Sequence, residues 1–325
     1  MKSMNLIIVC IFLMAVSSAW CQKIGLLMDS YVVERWRTDQ SLFVERVNAL
    51  GGKCVVEVPH GNAEEQVRLG KKLIAEKVDV LVIVPSDADR AAEIVAEAKK
   101  ANIPVISYDR MIASKDISLY VSYDNHKVGL LQGQYALDRK PEGNYLFLNG
   151  PKYDRNSMMF KNGQMEALRS GMESGKINVV ADYDLEDWSE LEAIMKVEEY
   201  LAGSNPIPDV IIAANDALAT GALQVLPEEL IGKVILTGQD AERGALRHIV
   251  AGHQSMTVYK PIKPLAYNAA ESAMKMAKKQ PVNSVKMKML NYEVNAILLD
   301  PMTVDKSNYK DTIVKDGHLS MAEIN

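Results

Sequence analysis

The run VDVLVIV at residues 78–84 is apolar at every position except Asp79. A strand whose successive side chains are apolar is buried on both faces, which is typical of parallel sheets covered by helices. Residues 91–100, which follow, have helical periodicity, and the apolar segment 103–108 predicts the next strand. This part of the chain therefore predicts an α/β protein built on parallel strands.

The same alternation extends toward the N-terminus. Residues 24–28 and 55–58 are short apolar runs that predict two more strands. Between them, apolar residues recur at helical intervals on a segment that ends at Gly51-Gly52, namely Trp36, Phe43, Val47 and Leu50. Asn62 is the expected N-cap of the next helix. Four βα-type repeats are thus predicted for residues 23–110.

A second series of strands and helices begins after Asp124. Predicted helices at 127–137, 159–172, 190–201 and 217–226 alternate with predicted strands at 145–148, 179–183, 210–214 and 234–237. At 325 residues the chain is also longer than one hydrophobic core usually serves. We therefore predict two doubly wound parallel-sheet lobes.

The connection between the two lobes is expected to be ordered. The sequence has no glycine-, serine- or charge-rich linker, so the chain is predicted to cross as strands near Asp124, at 256–259 and at 287–292. This three-segment hinge divides the chain into a first lobe of 22–124 and 259–290 and a second lobe of 125–258 and 291–325. Crossing segments of this kind permit hinge motion around a cleft.

The first 21 residues have the pattern of an export signal peptide. Lys2 precedes an apolar run of 11 residues, 6–16, and small residues follow it at 17–19. That run is too short to span a bilayer. Cys21 leaves a lipid anchor open as an alternative, although Trp20 is bulky where a lipoprotein signal has a small residue. We expect an exported protein without a membrane-spanning segment.

Composition and motifs exclude several classes of function. The net charge of −5 and the pI near 5.7 argue against a nucleic-acid partner. The sequence contains no GxGxxG, GxxxxGK[ST], GxSxG or HExxH string, so no dinucleotide, phosphate or serine-hydrolase site is indicated. Five histidines without metal-ligand spacing give no metal site. We expect a protein without cofactor, metal or catalytic residues.

The predicted strand ends carry large polar and aromatic side chains in both halves. Ligands of open α/β sheets bind beyond the carboxyl ends of the strands. Charged and amide groups there can exchange paired hydrogen bonds with hydroxyls, and tryptophan offers a flat apolar face to a ring. Each residue could instead cap a helix or join the core. Their recurrence in both halves favours a sugar site made of Arg35, Trp36, Asp109, Arg110, Asn156, Trp188, Asn215, Asp240 and Lys260.

Several strings of the sequence resemble one family over residues 23–317. They are ERW at 34–36, YDRM at 108–111, SYDNHKVG at 122–129, ANDA at 214–217, GQDA at 238–241 and MTVYKPI at 256–262. Together they resemble the periplasmic D-xylose-binding proteins of bacterial ABC importers, within the type I periplasmic binding proteins. The resemblance implies a periplasmic, non-catalytic protein whose lobes close on one monosaccharide, and a membrane permease as its partner. It also indicates a monomer.

The resemblance also implies a role for each site residue. Arg35, Asp109 and Arg110 would hydrogen-bond the sugar from the first lobe, and Asn156, Asn215 and Asp240 from the second. Lys260 would reach it from a crossing, and Trp36 and Trp188 would sandwich its ring. Asp29 and Asp87 are expected to face the cleft and to influence which sugar is preferred.

Other functions stay open at this point. A sensory protein that docks on a membrane histidine kinase or a chemoreceptor would have the same motifs. Ribose, arabinose or glucose could replace xylose as the ligand. A transcription-factor sensor core shares the fold but needs an N-terminal DNA-binding segment, where this chain has the predicted signal.

Overall fold

The computed structural model describes residues 21–32, 35–289 and 291–325. The predicted signal peptide lies outside these residues except for Cys21, and so does Glu34 of the ERW string. None of the helices in the described part of the chain is long and apolar enough to cross a membrane.

The first lobe begins with strands and helices in alternation. Its elements are β1 (Lys23–Leu27), α1 (Trp36–Ala49), β2 (Lys53–Glu57), α2 (Ala63–Ala75), β3 (Val80–Ile83), α3 (Ala88–Lys100), β4 (Val105–Tyr108) and β5 (Leu119–Tyr123). All five strands are parallel to their neighbours, in the order β5-β4-β3-β1-β2. The fourth predicted repeat differs from the prediction, because β4 is followed by a loop and β5 rather than by a helix.

The second lobe continues the same architecture. Its elements are α4 (Asn125–Arg139), β6 (Gly143–Asn149), α5 (Arg155–Glu173), β7 (Ile177–Asp184), α6 (Glu190–Ala202), β8 (Val210–Ala213), α7 (Asp216–Val225), β9 (Ile235–Leu236), α8 (Arg243–Ala251) and β10 (Thr257–Tyr259). Four strands form a parallel sheet in the order β7-β6-β8-β9. The predicted elements of this lobe agree with the observed ones to within a few residues.

The last part of the chain returns to the first lobe before it ends on the second. It comprises α9 (Ile262–Ala277), β11 (Val285–Lys288), β12 (Glu293–Leu299), β13 (Met302–Val304) and α10 (Met321–Ile324). Helix α9 packs on α1, and β12 extends the first sheet by pairing parallel to β5. Strand β13 pairs with β10 of the second lobe. The doubly wound fold with three crossings is thereby confirmed.

The position of the third crossing was predicted wrongly. The predicted crossing at 287–292 includes the end of β11 and residue 290, which lies outside the described residues. Because β11 and β12 are antiparallel neighbours in the first sheet, the chain is in the first lobe on both sides of 289–292. Val294 and Ala296 are buried in the core of the first lobe, which fixes β12 on that side. The chain crosses after Leu299, whose carbonyl accepts a hydrogen bond from the amide of Asp124 at the first crossing. Residues 291–299 therefore belong to the first lobe.

Candidate functional site

The candidate site is a cavity between the lobes, at the carboxyl ends of strands from both parallel sheets. The cavity is narrow, with an accessible volume of about 30 Å³ between its side chains. All nine predicted site residues line it. Among the described residues, the lining is Arg35, Trp36, Asp109, Arg110, Asp154, Asn156, Phe160, Trp188, Asn215, Gln239, Asp240 and Lys260.

Three lining residues were missed by the sequence analysis. Asp154 directly precedes α5, and its place at a strand end beside Asn156 was the sequence feature that could have identified it. Gln239 had the same signal, as the residue before Asp240 in the GQDA string. Phe160 lies on α5 one turn after Asn156, and its apolar side chain gave no sign of a place in a polar site.

Arg35 connects carboxylates from both lobes. Its Nε and Nη2 donate to the two oxygens of Asp39, each at 3.1 Å, and Asp109 lies at 3.1 Å. Nη1 of Arg35 lies 3.5 Å from Asp240 in the second lobe. Burial opposes the charge on Arg35, but Asp109 and Asp39 outweigh it and raise the pKa of the guanidinium. Arg35 is thus a fixed cation at the centre of the site.

Arg110 makes a second connection across the cleft. Its Nη1 lies 2.9 Å from Asp29 of its own lobe, and its Nε lies 2.9 Å from Asp154 of the opposite lobe. Asp154 also caps α5 by accepting a hydrogen bond from the amide of Asn156. Burial raises the pKa of the Asp154 carboxyl, although Arg110 opposes this effect. The Arg110 guanidinium is therefore held between two buried carboxyl groups.

Asn156 and Asn215 reach the cavity from the second lobe. The Asn156 amide nitrogen donates to the carbonyl of Asp109 at 3.1 Å, and its oxygen accepts from Tyr120 at 3.2 Å, both across the cleft. The Asn215 oxygen caps α7 by accepting from the amide of Leu218. Asn215 therefore has the capping role that the sequence left open as an alternative, and its amide nitrogen is the group left for a ligand.

Asp240 is paired with Lys260 at the second crossing, where the two groups lie 2.9 Å apart. Burial raises the pKa of Asp240, but Lys260 and Arg35 more than compensate and lower it below its ordinary value. The backbone φ angles of Asp109 and Asp240 are 60° and 92°, in the left-handed region that residues with a Cβ seldom adopt. Strain of this kind is typical of functional sites.

The two tryptophans have different surroundings. Trp36 is buried, with the guanidiniums of Arg35 and Arg110 at 4.9 and 5.6 Å from its ring centre. Trp188 is half-buried, donates from Nε1 to Asp154 at 3.2 Å and meets Phe160 edge to face at 6.3 Å. Together with Phe160 they give a strongly charged cavity three aromatic walls.

Two buried polar atoms of the lining have no hydrogen-bond partner in the part of the chain that the structure describes. They are Nε1 of Trp36, a donor, and Oε1 of Gln239, an acceptor. Buried polar groups in folded proteins are nearly always hydrogen-bonded. This donor and acceptor are therefore suited to a ligand that carries hydroxyl groups.

Asp29 and Asp87 lie beside the cavity rather than in its lining. Both line a neighbouring cavity that shares Arg110, Trp188 and Asn215 with the site. Asp87 caps α3 by accepting from the amides of Asp89 and Arg90. Across the described ranges, no group of three or more histidine, cysteine or acidic side chains could hold a metal ion.

Comparisons with known proteins agree with this architecture. Residues 24–281 match the periplasmic binding protein domain. The chain is 40% identical over 303 residues to the D-xylose-binding periplasmic protein of Haemophilus influenzae, covering 91% of this chain and 90% of that protein. It is 41% identical over 304 residues to the D-xylose-binding periplasmic protein of Escherichia coli (strain K12), covering 93% and 92%.

A solved structure is similar over nearly the same length. An ABC transporter solute binding protein from Clostridium phytofermentans with bound β-D-glucose matches with a TM-score of 0.84 at 25% identity, covering 94% of this chain and 100% of that one. These relatives are named as binding proteins, in agreement with the prediction of a binding protein rather than an enzyme. The family predicted from the sequence motifs is confirmed, and the chain belongs to the periplasmic binding protein domain family.

Proposed function

We propose that this protein is an extracytoplasmic solute-binding protein that captures D-xylose in the cavity between its lobes and delivers it to an ABC importer. The observation that carries the proposal is the lining of the cavity, where both lobes and one crossing contribute charged, amide and aromatic side chains to one small space. The two D-xylose-binding relatives support the choice of sugar.

Cleft closure is the proposed mechanism of capture. Arg35, Asp109 and Arg110 belong to the first lobe, whereas Asp154, Asn156 and Asp240 belong to the second. A sugar can contact both sets only when the lobes approach each other, so binding shifts the population toward the closed form. The closed form is then the form recognised by a membrane permease.

The chemistry of the lining favours a ligand with several hydroxyl groups. A buried donor or acceptor left unpaired costs about 1–3 kcal/mol, so a sugar that lacks one of the hydroxyls is rejected. A hexose adds a CH₂OH group to the pentose ring and is refused on steric grounds, because ion pairs and aromatic rings surround the cavity.

Calorimetric titration of the protein from Gln22 onward tests the proposal. D-xylose, L-arabinose, D-ribose and D-glucose are compared, and saturable one-to-one binding confined to D-xylose is expected. Preference for another sugar in the set would keep the binding function and change the ligand, whereas no binding of any of them would overturn the proposal.

The location and assembly of the protein are part of the same proposal. We infer export to the periplasm by the predicted signal at residues 1–21, and a monomer in solution. Fractionation of cells that express the full chain and size-exclusion chromatography of the mature protein test these points. A dimer, or a protein retained in the cytoplasm, would contradict them.

A further inference from the structure

The turn that carries Asp240 into the cavity has an unfavourable backbone conformation. Asp240 and Ala241 follow each other with φ angles of 92° and 54°, and neither is a glycine. Two successive left-handed residues with a Cβ are sterically disfavoured, so the surrounding structure must hold them in place. The contacts that do so lie behind the cavity.

Asp216, at the start of α7, makes two of these contacts, and the backbone carbonyl of Val258 and the ring of His318 add others. Its backbone amide donates to the carbonyl of Gln239 at 3.0 Å. Its carboxylate oxygen Oδ2 accepts from the backbone amide of Glu242 at 2.9 Å. Asp216 therefore holds the turn on both sides of Asp240 and Ala241.

Thr257 links Asp216 to the middle of the turn by hydrogen bonds. Its hydroxyl donates to Oδ2 of Asp216 at 2.9 Å and accepts from the backbone amide of Ala241 at 3.2 Å. Gln254 donates to the other carboxylate oxygen of Asp216 at 2.9 Å. Asp216 and Thr257 are both fully buried, so water cannot readily replace these bonds.

Gly238 shows how closely Asp216 lies against the turn. A Cβ at position 238 would lie 2.0 Å from Oδ1 of Asp216, so only glycine fits there without displacing the carboxylate. Asp216 itself is not in the lining of the cavity. It therefore acts on the site through the backbone and does not contact a ligand there.

We propose that Asp216 is a positioning residue which, together with Thr257, holds the left-handed turn at 240–241 and so directs the Asp240 carboxylate toward Arg35 and Lys260. The inference rests on the proposed function insofar as Asp240 binds the sugar. The conformation of the turn itself can be measured without any sugar.

The experiment compares single-residue variants of the mature protein. Asp216→Ala removes the anchor directly. Because loss of a buried anchor can unfold a protein, Thr257→Val is the second variant. It keeps Asp216 and removes only the hydroxyl that bonds to Asp216 and to Ala241. Thr257→Ser restores the hydroxyl. Thr237→Val is the matched control, because the equally buried Thr237 donates to the carbonyl of Ala213 and not to the turn.

Two readouts are used, namely D-xylose affinity by calorimetry and amide hydrogen exchange of the peptide that contains residues 240–242. We expect Thr257→Val to weaken affinity at least tenfold and to speed exchange in that peptide. Thr257→Ser and Thr237→Val should stay near wild type in both. Wild-type affinity in Thr257→Val, or an equal loss in Thr237→Val, would overturn the inference.

The exchange readout separates this inference from the proposed function. If the wild-type protein binds none of the sugars, the proposed function fails, and exchange alone decides whether Asp216 and Thr257 hold the turn. Faster exchange in Thr257→Val but not in Thr237→Val then supports the inference. Unchanged exchange in both variants contradicts it.

Discussion

Nη1 of Arg35 lies 3.5 Å from Oδ1 of Asp240, and the two side chains come from opposite lobes. Each also has a second partner, since Asp39 of the first lobe pairs with Arg35 and Lys260 at the second crossing pairs with Asp240. The pair forms only when the lobes are close together. In this structure, contact between the lobes therefore completes the lining of the cavity.

Replacing Asp240 tests this relationship. Asp240→Asn leaves Arg35 and Lys260 without their shared carboxylate, and losing a charged hydrogen-bond partner costs about 2–3 kcal/mol. We expect D-xylose affinity to fall by about 100-fold in calorimetry. Asp300→Asn is the control, because its side chain is 84% exposed and pairs with Lys127 away from the cavity. Equal affinities of the two variants would exclude Asp240 from the site.

The position of the Trp188 ring can be changed without altering the ring itself. A Cβ at Gly150 would lie 1.9 Å from the ring atom Cη2 of Trp188, so Gly150→Ala must displace the indole. We expect this variant and Trp188→Ala each to lose most D-xylose binding while their thermal unfolding stays cooperative, because Trp188 is only half-buried.

The control for this change is another alanine substitution at a glycine. A Cβ at Gly244 on α8 would meet no atom of the described residues within 4 Å, so Gly244→Ala should bind D-xylose as the wild type does. Near-wild-type affinity in both Gly150→Ala and Trp188→Ala would show that the ring plays no part in binding.

Much of the fold could be predicted from the sequence, because apolar residues recur with different periods in buried strands and in amphipathic helices. The run at 80–83 forms a fully buried central strand, as its apolar side chains predicted. The third crossing was missed for a physical reason. A hairpin and a change of lobe both begin with a strand end, and the local pattern at 287–292 does not distinguish them. The pairing of β12 with β5, which is distant in the sequence, shows that the chain stays in the first lobe at this point.

The site could be predicted from the sequence to a similar degree. Asp109 and Asp240 could be selected because polar residues at strand ends converge in parallel sheets. Asp39 could not be selected, because it lies within α1 and its place in the sequence is that of an ordinary helix residue. In the structure it is buried against Arg35 and accepts a hydrogen bond from Tyr108. Residues that orient a site from behind have no pattern of their own in the sequence.

Asp216 should make stability depend on pH. Burial raises the pKa of its carboxyl from 3.8 to about 7. The folded state then holds this proton more tightly than the unfolded state, so its contribution to stability is complete below about pH 4 and is lost as the pH rises to about 7. Over this range the loss amounts to at most about 4 kcal/mol.

Urea unfolding of the wild type and Asp216→Asn between pH 4 and pH 7.5 measures this contribution. The variant cannot titrate at this position, and the other buried carboxyl groups, Asp29, Asp39, Asp109 and Asp154, are common to both proteins. The free energy of unfolding of the wild type minus that of the variant should fall as the pH rises. A difference that is constant or that increases would show that the pKa of Asp216 is not raised.

Two arginines that bridge the lobes should differ sharply in their importance. Arg110 pairs with Asp154 at 2.9 Å, where the two side chains are only 7% and 3% exposed. Arg155 pairs with Asp89 at 2.8 Å, with 35% and 70% exposure. Exposed ion pairs contribute about 0–1 kcal/mol, whereas breaking a buried pair costs about 3–5 kcal/mol. Arg110→Met should therefore weaken D-xylose binding at least about 100-fold, and Arg155→Met less than about fivefold.

Calorimetry of both variants, with thermal unfolding as the check on folding, makes the comparison. Similar losses in the two variants would mean that lobe contact in general, rather than the buried Arg110 pair, determines affinity.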